Sequence, residues 1–313
     1  MAEVTASLVK ALRDKTGAGM MDCKTALTQT KGDMGQAVDW LRKKGLSRAS
    51  QKADRVAAEG LIGVTVRDKA GAIVEVNSET DFVARNDRFQ DMVRTVTGLA
   101  LAAGGDLKKL LAMTYPGKTM TVEEHVKELV ATIGENMGVR RTARVSASDG
   151  VVCEYLHNKV ADGLGKVGVL VSLKSKGKPA ELSQFGRQLA MHIAAASPAA
   201  ISADELDPAL IERERAIYIE QANASGKPPE IAAKMAEGRL RKEFFQRVVL
   251  LQQTFLGPSG DGKASVEEVL KGAEKVAGGP IKITKFVRYA LGEGIDKKDT
   301  DFAAEVAAAA GKR

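Results

Sequence analysis

The feature that most constrains the fold is a change of hydrophobic period, from helical to two-residue, at Gly60. Residues 61–66 and 72–77 alternate like strands, and the turn signal at 68–71 separates them. Residues 139–147 alternate in the same way and predict a third strand. The intervening segment predicts a helix whose apolar face consists of Phe89, Met92, Val93, Val96, Leu99 and Ala100.

The same order of elements recurs in the second half of the chain. Residues 151–156 and 167–173 predict two strands around a polar loop, and residues 281–283 and 286–289 add late strand material. The helix predicted between them has an apolar face of Leu182, Phe185, Leu189, Ile193 and Ala196. The sequence therefore predicts the α+β class, with two similar units, each an antiparallel sheet with helices on one face.

The first 45 residues have only helical periodicity. Residues 16–19, Thr-Gly-Ala-Gly, interrupt the pattern, Gly32 and Asp33 introduce a third helix, and Gly45 is predicted to end it. Three short helices in so few residues predict a small bundle.

A long helical stretch is inserted in the second unit. Residues 204–224 and 230–255 predict two antiparallel helices joined by a sharp turn at 226–229, the first about 30 Å long. Such a hairpin is expected to project from the body. Residues 301–313 predict an Ala-rich C-terminal helix. The apolar positions expected to face inward in the hairpin are Leu206, Leu210, Ile217, Gln221, Ile231, Met235, Leu240, Phe244 and Leu251.

Composition excludes several functional classes. Lys and Arg number 47 against 40 Asp and Glu, a net charge of +7, which permits anionic partners without requiring them. The two cysteines lie far apart and only three histidines are present, so we expect no metal site and no disulfide framework. Because no signal peptide and no long apolar run is recognisable, we expect a cytoplasmic protein without a membrane interaction.

Residues 257–264 nearly match a phosphate-binding loop, GxxxxGK[ST]. Ala264 lacks the hydroxyl that would hold Mg²⁺, and a helix rather than a strand precedes the segment. Ser265 and Glu268 instead predict a capping box that opens a new helix. Since no nucleophile–base set is recognisable either, we expect no catalytic residue, no cofactor and no enzymatic activity.

Two turns leave a structural and a functional interpretation open. At 78–87, Thr80 or Asp81 could cap a helix while Phe82 packs into the core, or Asp81 and Phe82 could be presented to a partner as an acid–aromatic pair. Met20 and Met21 could pack at a helix start or form an adaptable binding surface.

A basic stretch between residues 42 and 55 is open to two interpretations as well. It could be a solvated linker helix or a patch that contacts phosphates. The second possibility, together with the arginines near residue 140, is the basis of an alternative function in RNA or ribosome binding. The residues concerned are Arg42, Lys43, Lys44, Arg48, Lys52 and Arg55, with Arg140, Arg141 and Arg144.

Five motifs carry a resemblance to a known family. They are TGAGMMDCKTAL at 16–27, SETDFVARND at 78–87, AMHIAAASP at 190–198, EGRLRKEFFQRVVLLQQTF at 237–255 and KITKFVRYALGEGI at 282–295. Their order over nearly the whole chain resembles bacterial elongation factor Ts. The resemblance implies a guanine-nucleotide exchange factor that binds elongation factor Tu, in GDP-bound and nucleotide-free states, without contacting nucleic acid directly and with homodimerisation left open.

The resemblance also implies a domain plan and a set of partner-binding residues. The plan is a ubiquitin-associated-like (UBA-like) helical domain and linker at 1–55, a core N-subdomain at 56–147, a core C-subdomain at 148–203 and 257–292, a coiled-coil hairpin at 204–256, and a C-terminal helical module at 293–313. The residues implied to dislodge Mg²⁺ from elongation factor Tu are Thr80, Asp81, Phe82 and Val83. The residues implied as secondary partner contacts are Met20, Met21, His157, Gln188 and His192.

Overall fold

The chain folds into helices and two antiparallel sheets, as seen in a computed structural model that describes residues 4–226, 228–258 and 262–296. The α+β class predicted from the alternating periods is confirmed. The strands are β1 (Glu59–Arg67), β2 (Ala70–Ser78), β3 (Met137–Ser146), β4 (Gly150–His157), β5 (Leu164–Gly165), β6 (Val167–Lys174) and β7 (Lys282–Ala290). The sheet orders are β3-β2-β1-β5 and β4-β6-β7.

The helices occupy the segments in which the apolar residues recur with helical spacing. They are α1 (Ala6–Thr16), α2 (Met20–Gln29), α3 (Met34–Lys52), α4 (Asp87–Ala102), α5 (Leu107–Ala112), α6 (Val122–Ile133), α7 (Pro179–Ala196), α8 (Pro208–Ala224), α9 (Pro229–Arg239), α10 (Gln246–Val248) and α11 (Val266–Ala277). Short 3₁₀ turns lie at Val83–Arg85, Ala203–Glu205 and Leu250–Gln252, and a π-helical segment lies at Leu240–Phe245.

The two sheets stack face to face, which the periodicity did not predict. Ile62, Ile73 and Leu170 belong to one buried cluster between them. The sheets approach closely because glycines lie at the contact: a Cβ on Gly71 would come within 2.7 Å of Leu170, and one on Gly168 within 2.7 Å of Ile62. Helices therefore cover only the outer face of each sheet.

Each outer face packs against its own helices. Leu61 and Val76 of the first sheet share a cluster with Phe89 of α4 and with residues of α6. In the second sheet, Val171 shares a cluster with Leu182 of α7. The order of layers is helix, sheet, sheet, helix.

The two halves of the chain interlock at β5. This short strand lies within the segment 148–203, yet Gly165 pairs with Ile62 of β1 at the edge of the first sheet. The connection between β4 and β6 therefore fixes the first sheet against the second.

Helices α1, α2 and α3 pack around Leu12, Cys23 and Leu27. The prediction that Gly45 ends the third helix is wrong, because α3 continues to Lys52. Gly45 is buried, and a Cβ there would lie 2.8 Å from the Cβ of Ala131 in α6. The glycine permits close packing between α3 and α6 instead of ending the helix.

Helices α8 and α9 form an antiparallel pair, but its limits differ from the prediction. The first helix begins at Pro208, after Asp207 caps it, rather than at residue 204. The return segment leaves helical geometry at Val249, which is extended and bridges to Ala200. The predicted helix at 230–255 was therefore too long at its C-terminal end.

The predicted inward face of this hairpin is partly wrong. Tyr218, Ala232 and Ala236 fill the seam between the helices, while Leu206, Leu240 and Phe244 are buried as predicted. Four apolar residues predicted to face inward are exposed: Leu210, Ile217, Ile231 and Met235.

The end of β7 is tied to the first sheet by a buried carboxylate. Glu75 of β2 is fully buried, forms ion pairs with Arg140 and Arg141, and accepts a hydrogen bond from the Gly292 amide at 2.9 Å. Burial alone would raise the pKa of Glu75, but hydrogen bonds from Gly292, Asn77 and Arg141 lower it overall. The predicted C-terminal helix at 301–313 lies outside the described residues.

Candidate functional site

The segment between β2 and α4, residues 79–86, presents an aromatic side chain to solvent; we call it the β2–α4 turn. Phe82 is 75% exposed, and Asp81 beside it is exposed as well. The 3₁₀ turn at Val83–Arg85 directs Val83 and Ala84 into the first core instead. The interpretation of Phe82 as a core residue is therefore wrong, and Phe82 is the most exposed of the chain's described large apolar residues.

Helix α4 is capped by a residue that the sequence analysis did not consider. The Asn86 side chain accepts hydrogen bonds from the amides of Arg88 at 3.0 Å and Phe89 at 3.3 Å. The interpretation of Thr80 or Asp81 as the cap is wrong. Asp81 can thus be replaced without removing a helix cap.

The β2–α4 turn is anchored before Phe82 by Glu135. Its carboxylate accepts hydrogen bonds from the Thr80 hydroxyl at 2.7 Å and the Thr80 amide at 2.9 Å. After Phe82, the Gln90 side chain donates to the Ala84 carbonyl at 2.9 Å. The backbone is thus held both before and after Phe82.

A second set of contacts joins the turn to the end of α3. Glu79 accepts a hydrogen bond from the Asn136 amide and forms an ion pair with Arg55 at 3.3 Å. The Asn136 side chain donates to the carbonyls of Arg55 at 2.8 Å and Ala53 at 3.3 Å. The N-terminal helices are therefore fixed directly to the base of the turn.

Glu79, Glu135 and Asn136 were missed as functional candidates because their role depends on long-range pairing. Each contact between Thr80 and Glu135 spans 55 residues of sequence. A glycine after a helical pattern, at Gly134, does mark the end of α6. That signal places Glu135 in a connection but does not identify its partner.

Met20 and Met21 are 47% and 70% exposed at the first turn of α2. Their interpretation as core residues is therefore wrong, since Cys23, Ala26 and Leu27 bury the inner face of the helix. A Cβ on Gly17 would lie 2.4 Å from the Arg88 guanidinium, so the turn preceding α2 is adjacent to the start of α4.

The remaining candidates differ in how far they are exposed. His157 is exposed at the end of β4, 3.3 Å from the Tyr155 hydroxyl, and Gln188 is half-buried in a groove between α7 and α11. His192 is fully buried.

His192 has a well-defined internal role. The Leu256 amide donates to its Nδ1 at 3.2 Å, so the proton lies on Nε2, which donates to the Gln253 side chain at 3.0 Å. Burial lowers the pKa of His192, and the hydrogen bond to Gln253 opposes this only in part. The neutral imidazole therefore holds the segment before the 257–264 loop.

Many of the cations in the basic stretch are engaged within the chain. Lys44 contacts Asp22 at 3.0 Å, and Lys52 donates to the Gly134 carbonyl. The other pairs are Arg42 with Glu124, Arg55 with Glu79, and both Arg140 and Arg141 with Glu75. These contacts favour an intramolecular role over a phosphate-binding patch.

A helix begins directly after the 257–264 loop, as predicted. Ser265 and Glu268 form a capping box at the start of α11. Residues 259–261 lie outside the described residues. Within the part of the chain that the structure describes, no cluster of metal-ligating side chains is found and no helix is long and apolar enough to cross a bilayer.

Comparisons with known proteins identify the family. The model of the elongation factor Ts family matches residues 79–293. The elongation factor Ts of Parvibaculum lavamentivorans is 58% identical over 310 residues, 99% of each chain. That of Rhodospirillum centenum is 56% identical over 311 residues, 99% of this chain and all of the relative, and that of Bartonella henselae is 56% identical over 308 residues, 98% of this chain and 99% of the relative. Because the similarity covers both the β2–α4 turn and nearly the whole chain, this protein belongs to the elongation factor Ts family.

Proposed function

We propose that this chain is a guanine-nucleotide exchange factor that accelerates GDP release from elongation factor Tu during translation elongation. Family membership supports the reaction and the partner. The observation that carries the proposal is the exposure of Phe82, at 75%, on a turn whose backbone is held on both sides. An aromatic residue presented rigidly to solvent has the properties of an interface hot spot.

In this mechanism, Phe82 enters an apolar pocket of the partner near its nucleotide site and Asp81 accompanies it. Mg²⁺ in a GTPase neutralises the phosphate charge, so weakening its hold removes a large favourable contribution to nucleotide binding. The exchange factor needs no covalent step. It lowers the affinity for GDP by binding the nucleotide-free state more tightly, and this coupling is reciprocal.

We propose that the contact surface extends beyond the turn. Thr80 and Val83 act by shaping the turn, since Thr80 is bonded to Glu135 and Val83 is buried. Met20 and Met21 contribute a second, adaptable apolar contact from α2. His157 and Gln188 contact the partner from the second unit, and His192 supports that region from within.

We further propose the domain plan implied by the family. It has a UBA-like domain and linker at 1–55, core subdomains at 56–147 and at 148–203 with 257–292, a coiled-coil hairpin at 204–256 and a C-terminal module at 293–313. The packing of α1–α3 around their own cluster and of α8 against α9 supports this plan. The protein would act in the cytoplasm without contacting nucleic acid or membranes directly, and the hairpin could support a homodimer.

The decisive experiment measures release of fluorescent GDP from elongation factor Tu with and without this chain. We expect release to accelerate with the concentration of the chain until it saturates. An unchanged rate at saturating concentration would contradict the proposal. The RNA-binding alternative predicts a steep dependence of RNA affinity on salt, so a salt titration with the same preparation distinguishes the two functions.

A further inference from the structure

We propose that Glu135 is a positioning residue for nucleotide exchange. It acts through Thr80 to hold Phe82 and Asp81 in the conformation that binds the partner. This inference rests on the proposed exchange function. It concerns a residue outside the segment 80–83, from which the resemblance implied the Mg²⁺-dislodging residues.

The connection after α6 is shaped to deliver Glu135 to the turn. Helix α6 ends at Gly134, which has a φ of +91° in the left-handed region, and whose amide donates to the Val130 carbonyl. This conformation favours glycine, and it turns the chain out of the helix axis. Glu135 and Asn136 follow immediately and lead into β3 at Met137.

Glu135 makes two hydrogen bonds to a single residue. Its two carboxylate oxygens separately accept the hydroxyl of Thr80 at 2.7 Å and the amide of Thr80 at 2.9 Å. Hydrogen bonds to an ionised carboxylate are stronger than those between neutral groups. Together they fix both the backbone and the side chain of Thr80, and the Ser78 hydroxyl donates to the Thr80 carbonyl at 2.9 Å.

The position of Thr80 determines what these bonds do. Phe82 lies two residues further along, and Val83 and Ala84, which follow it, are buried in the first core. The core thus fixes the chain after Phe82, while Glu135 fixes it before Asp81. Removal of Glu135 takes away two of the hydrogen bonds that hold Thr80 and leaves the buried end in place.

The neighbouring contacts extend this function to the N-terminal helices. Asn136, the next residue, is bonded to Glu79 and to the carbonyl of Arg55, three residues after the end of α3. The segment 134–136 therefore holds the turn on one side and the N-terminal helices on the other. Met20, Met21 and Phe82 would meet the partner in a fixed relation to each other.

The test compares Glu135→Ala, Glu135→Gln and the wild-type chain in GDP release from elongation factor Tu. We expect Glu135→Ala to lower the rate at saturation about tenfold, the factor that a loss of about 1.4 kcal/mol produces. The concentration giving half of the maximal rate should change little, because the remaining contact surface is intact. Glu135→Gln keeps one carbonyl oxygen as an acceptor and should lie between the two.

The matched control is Glu123→Ala, which removes an exposed carboxylate that pairs with Lys127 and lies in the first turn of α6, at the end of the helix remote from Glu135. This variant should accelerate GDP release as much as the wild type does. The double variant Glu135→Ala with Phe82→Ala gives a readout that a purely structural role would not move. If Glu135 acts by presenting Phe82, its loss adds little in that background.

The outcomes separate the two proposals. If the wild-type chain fails to accelerate GDP release, the exchange function itself is wrong. If the wild type accelerates release while Glu135→Ala matches it at saturation, only the positioning role is wrong. Fully multiplicative losses in the double variant would also overturn it. If Glu135→Ala melts at a lower temperature than the wild type, the test rests on Glu135→Gln instead. A wild-type rate of GDP release with Glu135→Gln would then refute the positioning role.

Discussion

Replacing Phe82 by alanine tests whether this exposed aromatic residue is the part of the surface on which nucleotide exchange depends. The side chain is 75% exposed, so its truncation removes few internal contacts. A buried phenylalanine costs about 3–5 kcal/mol when truncated to alanine, and the quarter of Phe82 that is covered scales this to about 1 kcal/mol. The hydrogen bond from the Arg85 amide to the Phe82 carbonyl is unaffected by the change.

The expected effect on exchange is larger. Aromatic residues bury about 150–250 Å² each, with phenylalanine in the lower half of that range, so the exposed three quarters of Phe82 offers about 110–150 Å² to a partner. At about 25 cal/mol per Å², full burial of that area contributes about 3 kcal/mol, equivalent to roughly a hundredfold in an equilibrium or rate constant. We therefore expect GDP release at saturation to slow by one to two orders of magnitude.

The assay combines chemical unfolding with stopped-flow release of fluorescent GDP, and Phe89→Ala is the matched control. Phe89 lies in α4 and is fully buried, so its truncation should cost about 3–5 kcal/mol of stability. Phe82→Ala should show the reverse pattern: near wild-type unfolding and slow exchange. A large loss of stability, or exchange at the wild-type rate, would refute the reasoning.

Three further predictions concern other parts of the molecule. Asp81→Asn should leave stability unchanged, since Asn86 caps α4, and should slow GDP release with Mg²⁺ present but much less after chelation; equal rates with Mg²⁺ would show that the charge is unused. Replacing residues 207–247 by a short linker should leave the sheets folded. The Leu250 amide donates to the Ala200 carbonyl at 2.8 Å and so holds together the segments that enter and leave the hairpin. Loss of the strand signal in circular dichroism would contradict this prediction. Burial lowers the pKa of His192 below its ordinary value of 6.5. Because the unfolded chain then binds the proton more readily, the free energy of unfolding should fall as the pH drops below about 6.5. Urea titrations should show a shallower fall for His192→Gln, and an identical fall would exclude His192 as its source.

Much of the fold could be predicted because it depends on local periodicity. Alternating segments became β1, β2, β3, β4, β6 and β7, and the capping box at Ser265 was recognisable from two residues. Stacking of the two sheets could not be predicted, because it depends on close approach at Gly71 and Gly168. In a single sequence, such glycines resemble those of turns or bulges.

The inward face of the hairpin illustrates a different limit. Apolar size suggested Leu210, Ile217, Ile231 and Met235, yet the seam is filled by Tyr218 and small alanines. Alanines let two helices approach closely, and a partly exposed ion pair joins Arg215 of one helix to Glu237 of the other at 2.6 Å. Helical periodicity permits several neighbouring faces, and only the partner helix selects one.

The candidate site shows the same division between local and long-range information. The turn at 78–87 was recognisable, but its two interpretations differed in whether Phe82 packs into the core or is presented to a partner. Val83 and Ala84 are smaller, and the 3₁₀ turn buries them while leaving Phe82 outside. Glu135 could not be assigned, because its two bonds to Thr80 exist only when β2 and the end of α6 meet.

Rigidity of the β2–α4 turn has a thermodynamic consequence for exchange. An exchange factor can weaken GDP binding only by as much as it prefers the nucleotide-free partner. A flexible turn would lose part of that preference in becoming ordered at the interface, at about 0.5–1.5 kcal/mol for each immobilised side chain. Thr80, Ala84 and Asn86 are already held by Glu135, Gln90 and the amides of α4. More of the binding free energy of Phe82 therefore remains to oppose the nucleotide, which is why fixing the backbone on both sides of one exposed aromatic residue suits this chain to exchange.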